Sequence, residues 1–175
     1  MCSFKSAIVL KNGDLLHLDG VDSHEDVLSY FKIKDNGNDS FCRVEFVPGE
    51  DLCDLDQYKF EIDQERPDWF TESLEKKSVS RLKVIVNKYV VREDRDVLPV
   101  GFYILGNVVI KNAGCATIKS AGNATIENAG HATIQRAGHA TIEYAGFATI
   151  ENAGHATIKN ANYATIINKN SAKIS

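Results

Sequence analysis

The chain has 175 residues, 43% of them hydrophobic and 25% charged, with three Pro and one Trp, which suits one soluble domain or two small ones. No apolar run reaches the roughly 18 residues of a membrane span, and Met1-Cys2-Ser3-Phe4-Lys5 lacks the basic and apolar regions of a secretory signal, so the expected location is the cytoplasm. The net charge of -4 is split: residues 1–103 hold 14 Lys and Arg against 21 Asp and Glu, a balance of -7, while residues 104–175 hold 6 against 3, a balance of +3.

In chain order, the first signal is an apolar strand over Phe4 to Leu10, an Asn12-Gly13 hairpin turn and a return strand over Leu15 to Leu18. Ser23 with Asp26 reads as the N-cap of a short helix running to about Ile33, with Val27, Leu28 and Phe31 on its apolar side. Asp35-Asn-Gly-Asn-Asp39 is a loop, Phe41 to Val47 alternates as a strand, and Tyr58 to Ile62 is its expected partner. Asp68-Trp69-Phe70 opens a helix through Leu74, Val79 and Leu82, while Val84-Ile85-Val86 has the β-branched character of a further strand. The expectation is a small acidic α+β domain over residues 1–103.

From Ile104 to Ser175 the chain repeats every eight residues, giving nine octads typified by Asn-Ala-Gly-x-Ala-Thr-Ile-x. A Gly and a Thr-Ile pair in every eight residues is poor helix material, and helical repeats need some 30 residues or more. A parallel β-solenoid over residues 104–175 is therefore expected, with Ala116 and Ile118 on the inner face, Thr117 and Lys119 on the outer, and Ala113-Gly114 at a corner. Two octads make a flattened 16-residue coil and three a triangular 24-residue coil. Inward Ala fills little volume, which favours the narrow sandwich and hence 16. The first octad has Leu105, Val108 and Val109 in place of small residues, and the last has Lys169 and Lys173, as capping units do. The larger residues at the start are expected to be covered by the preceding domain.

Functional chemistry is sparse. Cys2, Cys42, Cys53 and Cys115 show no CxxC spacing, so no zinc knuckle or disulfide is expected. The position after each corner Gly carries Cys115, Asn123, His131, His139, Phe147, His155 and Tyr163. In a 16-residue coil, Asn123, His139 and His155 share one edge, and Cys115, His131, Phe147 and Tyr163 the other. His131, His139, Phe147, His155 and Tyr163 are the candidate binding residues for a partner. A column of His139 and His155 without carboxylates is a weak metal site, and no metal or other cofactor is expected. Residues 45–72 carry ten acids against Lys59 and Arg66, a surface that suits a basic partner; nothing has the basic stripe of a nucleic-acid binder. A second constellation is Cys2 as a nucleophile after removal of Met1, with its own α-amine as base, His24 as partner and Arg43 as a clamp for an oxyanion or phosphate. Against it stand the absence of a Gly-rich oxyanion turn and the plainer reading of His24 as exposed in the first turn of a helix.

Taken together, Met1 to Ile8 (Met-Cys-Ser-Phe-Lys-Ser-Ala-Ile), Asp22-Ser23-His24, Pro67-Asp68-Trp69-Phe70 and the Ala-Thr-Ile octads resemble a group of uncharacterised bacterial and bacteriophage proteins with a variable number of C-terminal octads. The resemblance covers the whole chain and implies no established activity. There is also a looser likeness to pentapeptide-repeat proteins, some of which imitate DNA, but the repeat here is eight and the tail is slightly basic. The expected function is that of a non-enzymatic interaction protein, phage-encoded or bacterial, in which the solenoid is a scaffold or self-association surface and the acidic head engages a host macromolecule. The alternative is a hydrolase or transferase with Cys2 as nucleophile.

Overall fold

A computed structural model describes residues 5–35 and 40–175. The chain divides into two compact units between Lys88 and Tyr89.

In the first unit, β1 (Ser6–Leu10), β2 (Leu15–Leu16), β3 (Phe41–Val47) and β4 (Lys59–Ile62) form an antiparallel sheet in the order β2-β1-β3-β4. The β1–β2 hairpin closes where sequence places it: Leu10 N–H donates to Asp14 O at 2.9 Å, and Asn12 Oδ1 accepts from Asp14 N at 3.0 Å. Helix α1 (His24–Tyr30) starts at Ser23, whose Oγ accepts from Asp26 N at 3.2 Å. It buries Val27 and Leu28 against Ile8 and Phe41. It ends before the expected Ile33, because Lys32 takes a φ of 55° that turns the chain out of the helix, and Phe31, 39% exposed, lies outside the cluster that Val27 and Leu28 form.

Helix α2 (Glu72–Asn87) begins at the Thr71 cap, later than expected, since Asp68-Trp69-Phe70 forms a turn in which Phe70 N donates to Pro67 O at 2.9 Å. Val84-Ile85-Val86 continues this helix and starts no strand. Ser78, Leu82, Ile85 and Val86 lie on one stripe at helical spacing, all buried, while Val84 on the opposite side is 63% exposed. The helical period outweighs β-branched propensity here. Among the described residues no helix is long and apolar enough to cross a membrane.

The second unit is a parallel β-solenoid built of two six-stranded sheets. One holds β5 (Val90–Val91), β7 (Phe102–Leu105), β9 (Thr117–Ser120), β11 (Thr133–Arg136), β13 (Thr149–Asn152) and β15 (Thr165–Asn168). The other holds β6 (Arg95–Val97), β8 (Val109–Asn112), β10 (Thr125–Asn128), β12 (Thr141–Tyr144), β14 (Thr157–Ile158) and β16 (Lys173–Ile174). Each octad strand pairs with the strand two octads on, Thr117 with Thr133 and Thr125 with Thr141, so the coil is the 16-residue one. The core is a run of fully buried Ile and Ala from both sheets, such as Ile126, Ala129, Ala132 and Ile134. Thr stacks on Thr along the outside, as the alternation of inward and outward side chains requires.

Corners are held twice over. Within a coil, Ala116 N donates to Ala113 O at 3.0 Å; between coils, His131 N donates to Gly114 O and His139 N to Gly122 O at 2.8 and 2.9 Å. Asn112, Asn128 and Asn152 add a side-chain bond to the backbone N–H of the following Gly.

The solenoid starts earlier than the octads do. β5 pairs with β7 and β6 with β8, so a coil at residues 89–103 precedes Ile104. Leu105 and Val108, expected to be covered by the α+β domain, pack in one core with Val91 and Leu98 of that coil. Val109 stays half-exposed, and its backbone N–H is taken by Asp94 Oδ1 at 2.7 Å.

The coil size sets a cross-linking result. Residues 139 and 155 sit one coil apart, about 4.8 Å along the stack, inside the roughly 4.4–6.8 Å Cα window of a disulfide. In a Cys115→Ser background, the pair His139→Cys and His155→Cys is expected to bridge readily under mild oxidation, and the pair His131→Cys and His155→Cys is not. Non-reducing mass mapping reads this directly, and bridging of the second pair alone would rule out the 16-residue coil.

Candidate functional site

Helix α1 packs on the face of the sheet that carries Ser6, Ile8, Arg43 and Glu45, since Ser6 pairs with Glu45 and Ile8 with Arg43. This placement turns His24 inward. Its side chain is buried, not exposed in the first helical turn as the plainer sequence reading had it. Its Nε2 lies 3.0 Å from Val44 O, which can only accept, so Nε2–H is the donor. Its Nδ1 faces Asp63 Oδ2 at 3.3 Å. Glu45, only 7% exposed, completes a group in which one ligand-type atom each from His24, Glu45 and Asp63 lies within 4.8 Å of the others.

Of the proposed nucleophile constellation, Cys2 lies outside the described residues. Arg43 is ion-paired with Asp35 and stands over the Phe41 ring at 5.0 Å, and its backbone N–H is accepted by Gln64 Oε1. His24 and Arg43 thus share one face of the sheet, and each is engaged by other partners. Beside them the carboxyl of Glu25 is held below its usual range, first by its own backbone N–H and then by the Ser23 hydroxyl.

Glu45 and Asp63 were not singled out from sequence. In an alternating strand, Arg43 and Glu45 read as the solvent side. β3 is instead internal to the sheet and α1 covers that side, and nothing local foretells a helix lying over it. Three more acids of residues 45–72 are likewise engaged within the unit. Asp56 accepts Lys83 Nζ at 2.6 Å, and that hydrogen bond, then the lysine's charge, lowers its pKa. The carboxylates of Asp51 and Asp54 accept from the backbone of Cys53 and Asp56 at 2.8 and 3.0 Å.

A cleft of about 680 Å³ lies between β2 and α2, lined by Leu15, His17, Lys77, Arg81 and Val84 among others. Burial, then the charge of Lys5, pushes the His17 pKa down. Arg81 is held by Gly13 O at 2.7 Å.

On the solenoid, the five candidate binding residues divide between two opposite edges. His131, Phe147 and Tyr163 form one ladder, with ring centroids 5.1 Å apart at both steps and interplanar angles of 6° and 9°. His139 and His155 form a second on the other edge, at 5.0 Å and 12°. Parallel imidazoles hold their in-plane lone pairs side by side instead of converging on a point, which gives the geometric reason against a metal in that column. Phe147 is 58% and Tyr163 76% exposed, and Cys115 is an exposed thiol on the same edge. The spacing of the rings is imposed by the backbone stack, so the ladder costs little side-chain entropy to present.

Compared with models of protein families, with curated proteins and with solved structures, the chain finds no match.

Proposed function

We propose that the protein is a non-enzymatic binding scaffold whose solenoid docks a partner protein along the edge of Cys115, His131, Phe147 and Tyr163. The observation that carries this reading is the exposed ladder of three stacked rings on a rigid backbone. Tyr and Phe are among the side chains enriched at the cores of protein interfaces, because each offers a large apolar area with few torsions to freeze. The excess of acids in residues 1–103 steers a partner with a basic surface during encounter, a long-range effect that survives the local pairing of many of those acids. A place in the cytoplasm of a bacterium or of a phage-infected cell goes with this reading, and its support is the likeness of the Met1 to Ile8 stretch and the octads to the group they resemble. The reading of Cys2 as an enzyme nucleophile gains nothing from the described residues, since His24 and Arg43 are each bound to other groups.

The test is a comparison of affinity capture from bacterial lysate at moderate salt, using the full chain and the Phe147→Ser/Tyr163→Ser variant. Both substitutions are at exposed positions and leave the core untouched. The expected result is a protein retained by the native chain and lost, by tenfold or more in yield, from the variant; loss of one aromatic anchor commonly costs about 2 kcal/mol or more. Retention of the same protein by both, or of none by either, removes the ladder as the docking edge. A second copy of the chain as the partner would appear as a concentration-dependent dimer in sedimentation, abolished by the same substitutions.

A further inference from the structure

We propose that His24, Glu45 and Asp63 form a binding site for one first-row divalent cation, of the Mn²⁺ or Zn²⁺ class. The residues come from three separate elements, the start of α1, the internal strand β3 and the residue after β4, and the fold brings one ligand-type atom of each within 4.8 Å of the others. The donor set is one imidazole and two carboxylates, which suits borderline and hard cations and does not need thiolate.

Three geometric facts support it. Two ligands at about 2.1 Å from a tetrahedral metal lie about 3.4 Å from each other, and His24 Nδ1 and Asp63 Oδ2 are 3.3 Å apart. The other ring nitrogen donates to the Val44 carbonyl at 3.0 Å, the outer bond that metal-bound histidines characteristically make; it fixes the tautomer and turns Nδ1 toward the carboxylates. Finally, His24 and Glu45 are buried while the Asp63 side chain is 59% exposed, so two ligands are held by packing and the third stands at an open side through which an ion enters. With three protein ligands, the remaining coordination positions fall to water or to an oxygen of a bound molecule on that open side.

A proton on His24 Nδ1 would satisfy the pair with Asp63 equally well, and experiment separates the two. Full-length protein, stripped with EDTA, is titrated with Mn²⁺ alone while the paramagnetic resonance signal of the free aquo ion is followed; Mn²⁺ avoids competition from the cysteines. The expected result is one saturable site per chain, with a dissociation constant raised tenfold or more by Asp63→Asn and by Glu45→Gln and unchanged by Asp54→Asn. Asp63 is mostly exposed, so its substitution leaves the fold standing even where Glu45→Gln does not, and a melting curve without metal confirms which case holds. Absence of saturable binding, binding indifferent to Asp63→Asn, or equal weakening by Asp54→Asn overturns the site; the last would mean diffuse attraction to an acidic surface. A matching rise in melting temperature with Mn²⁺, seen in the native chain and lost in Asp63→Asn, is the second expected readout.

Discussion

Gly138→Val is expected to lower the stability of the solenoid by about 2–6 kcal/mol, the sum of a conformational and a steric cost. The conformational part arises because Gly138 has a φ of 63°, in the left-handed region that a β-branched residue resists most. The steric part arises because a Cβ at this position would stand 2.9 Å from Gly122 O, a backbone atom that cannot swing away. That oxygen is also the acceptor for His139 N, so relieving the clash loosens the bond that joins one corner to the next. The same relation recurs between Gly154 and Gly138. In a stack where each coil touches its neighbours alone, the damage falls first on the edge of Gly122, Gly138 and Gly154, at the two junctions that Gly138 makes. Denaturant melting followed by circular dichroism measures it. Gly138→Asn is expected to cost less, since Asn162 and Asn170 occupy the corresponding corners of later octads at φ of 39° and 47°. Equal stability of native and Val chains would mean that the corners do not carry this close backbone contact.

The second large effect is expected from truncation. A chain of residues 104–175 should aggregate, and one of residues 89–175 should remain dispersed. The coil before Ile104 supplies Val91 and Leu98 to the core that buries Leu105 and Val108. It also takes up edge hydrogen bonds: Ile104 N donates to Tyr89 O, Gly106 N to Val91 O, and Leu98 N to Asn112 O, at 2.8 to 2.9 Å. Its removal leaves apolar side chains and two bare strand edges together, the combination that recruits other chains. The longer chain ends instead on short strands, with Arg92, Glu93 and Asp94 between them and Arg95 and Asp96 within the second, and charge of that density discourages edge pairing. Sedimentation of both chains at matched concentration is decisive; a monodisperse 104–175 chain would show that the octads close their own end.

How much of this was legible in the sequence follows from where the constraint is local. The octads are readable because a corner that needs a left-handed residue and an interior made mostly of Ala and Ile recur at fixed spacing; the small volume of Ala then favours the 16-residue coil and, with it, the two ring ladders. The coil before them is not, because it obeys a different count: Val90 pairs with Ile104 and Arg95 with Ile110, offsets of 14 and 15, and a register shift at Tyr103/Ile104 joins it to the rest. With no Ala-Gly corner of its own, residues 89–103 look like the end of the α+β domain, and the division placed between 103 and 104 falls at Lys88/Tyr89 in the structure. The grouping of His24 with Glu45 and Asp63 was hidden for another reason. It depends on which face of β3 a short helix covers, a tertiary choice that leaves no mark in the alternation of Phe41 to Val47.

Because a coil is two octads and the octads are nearly interchangeable in their inward residues, the parity of their number becomes a variable in its own right. Gain or loss of a pair changes the length by one strand spacing, about 4.8 Å, and leaves every later ring above the same neighbours. Gain or loss of a single octad hands each later ring to the opposite edge; loss of residues 128–135, for example, would bring the Phe147 and Tyr163 rings onto the edge of Asn123 and the His139 and His155 rings onto that of Cys115 while the Ile and Ala interior stays in step. The same core can therefore support two different surface texts, switched by an unequal crossover of 24 nucleotides (eight codons).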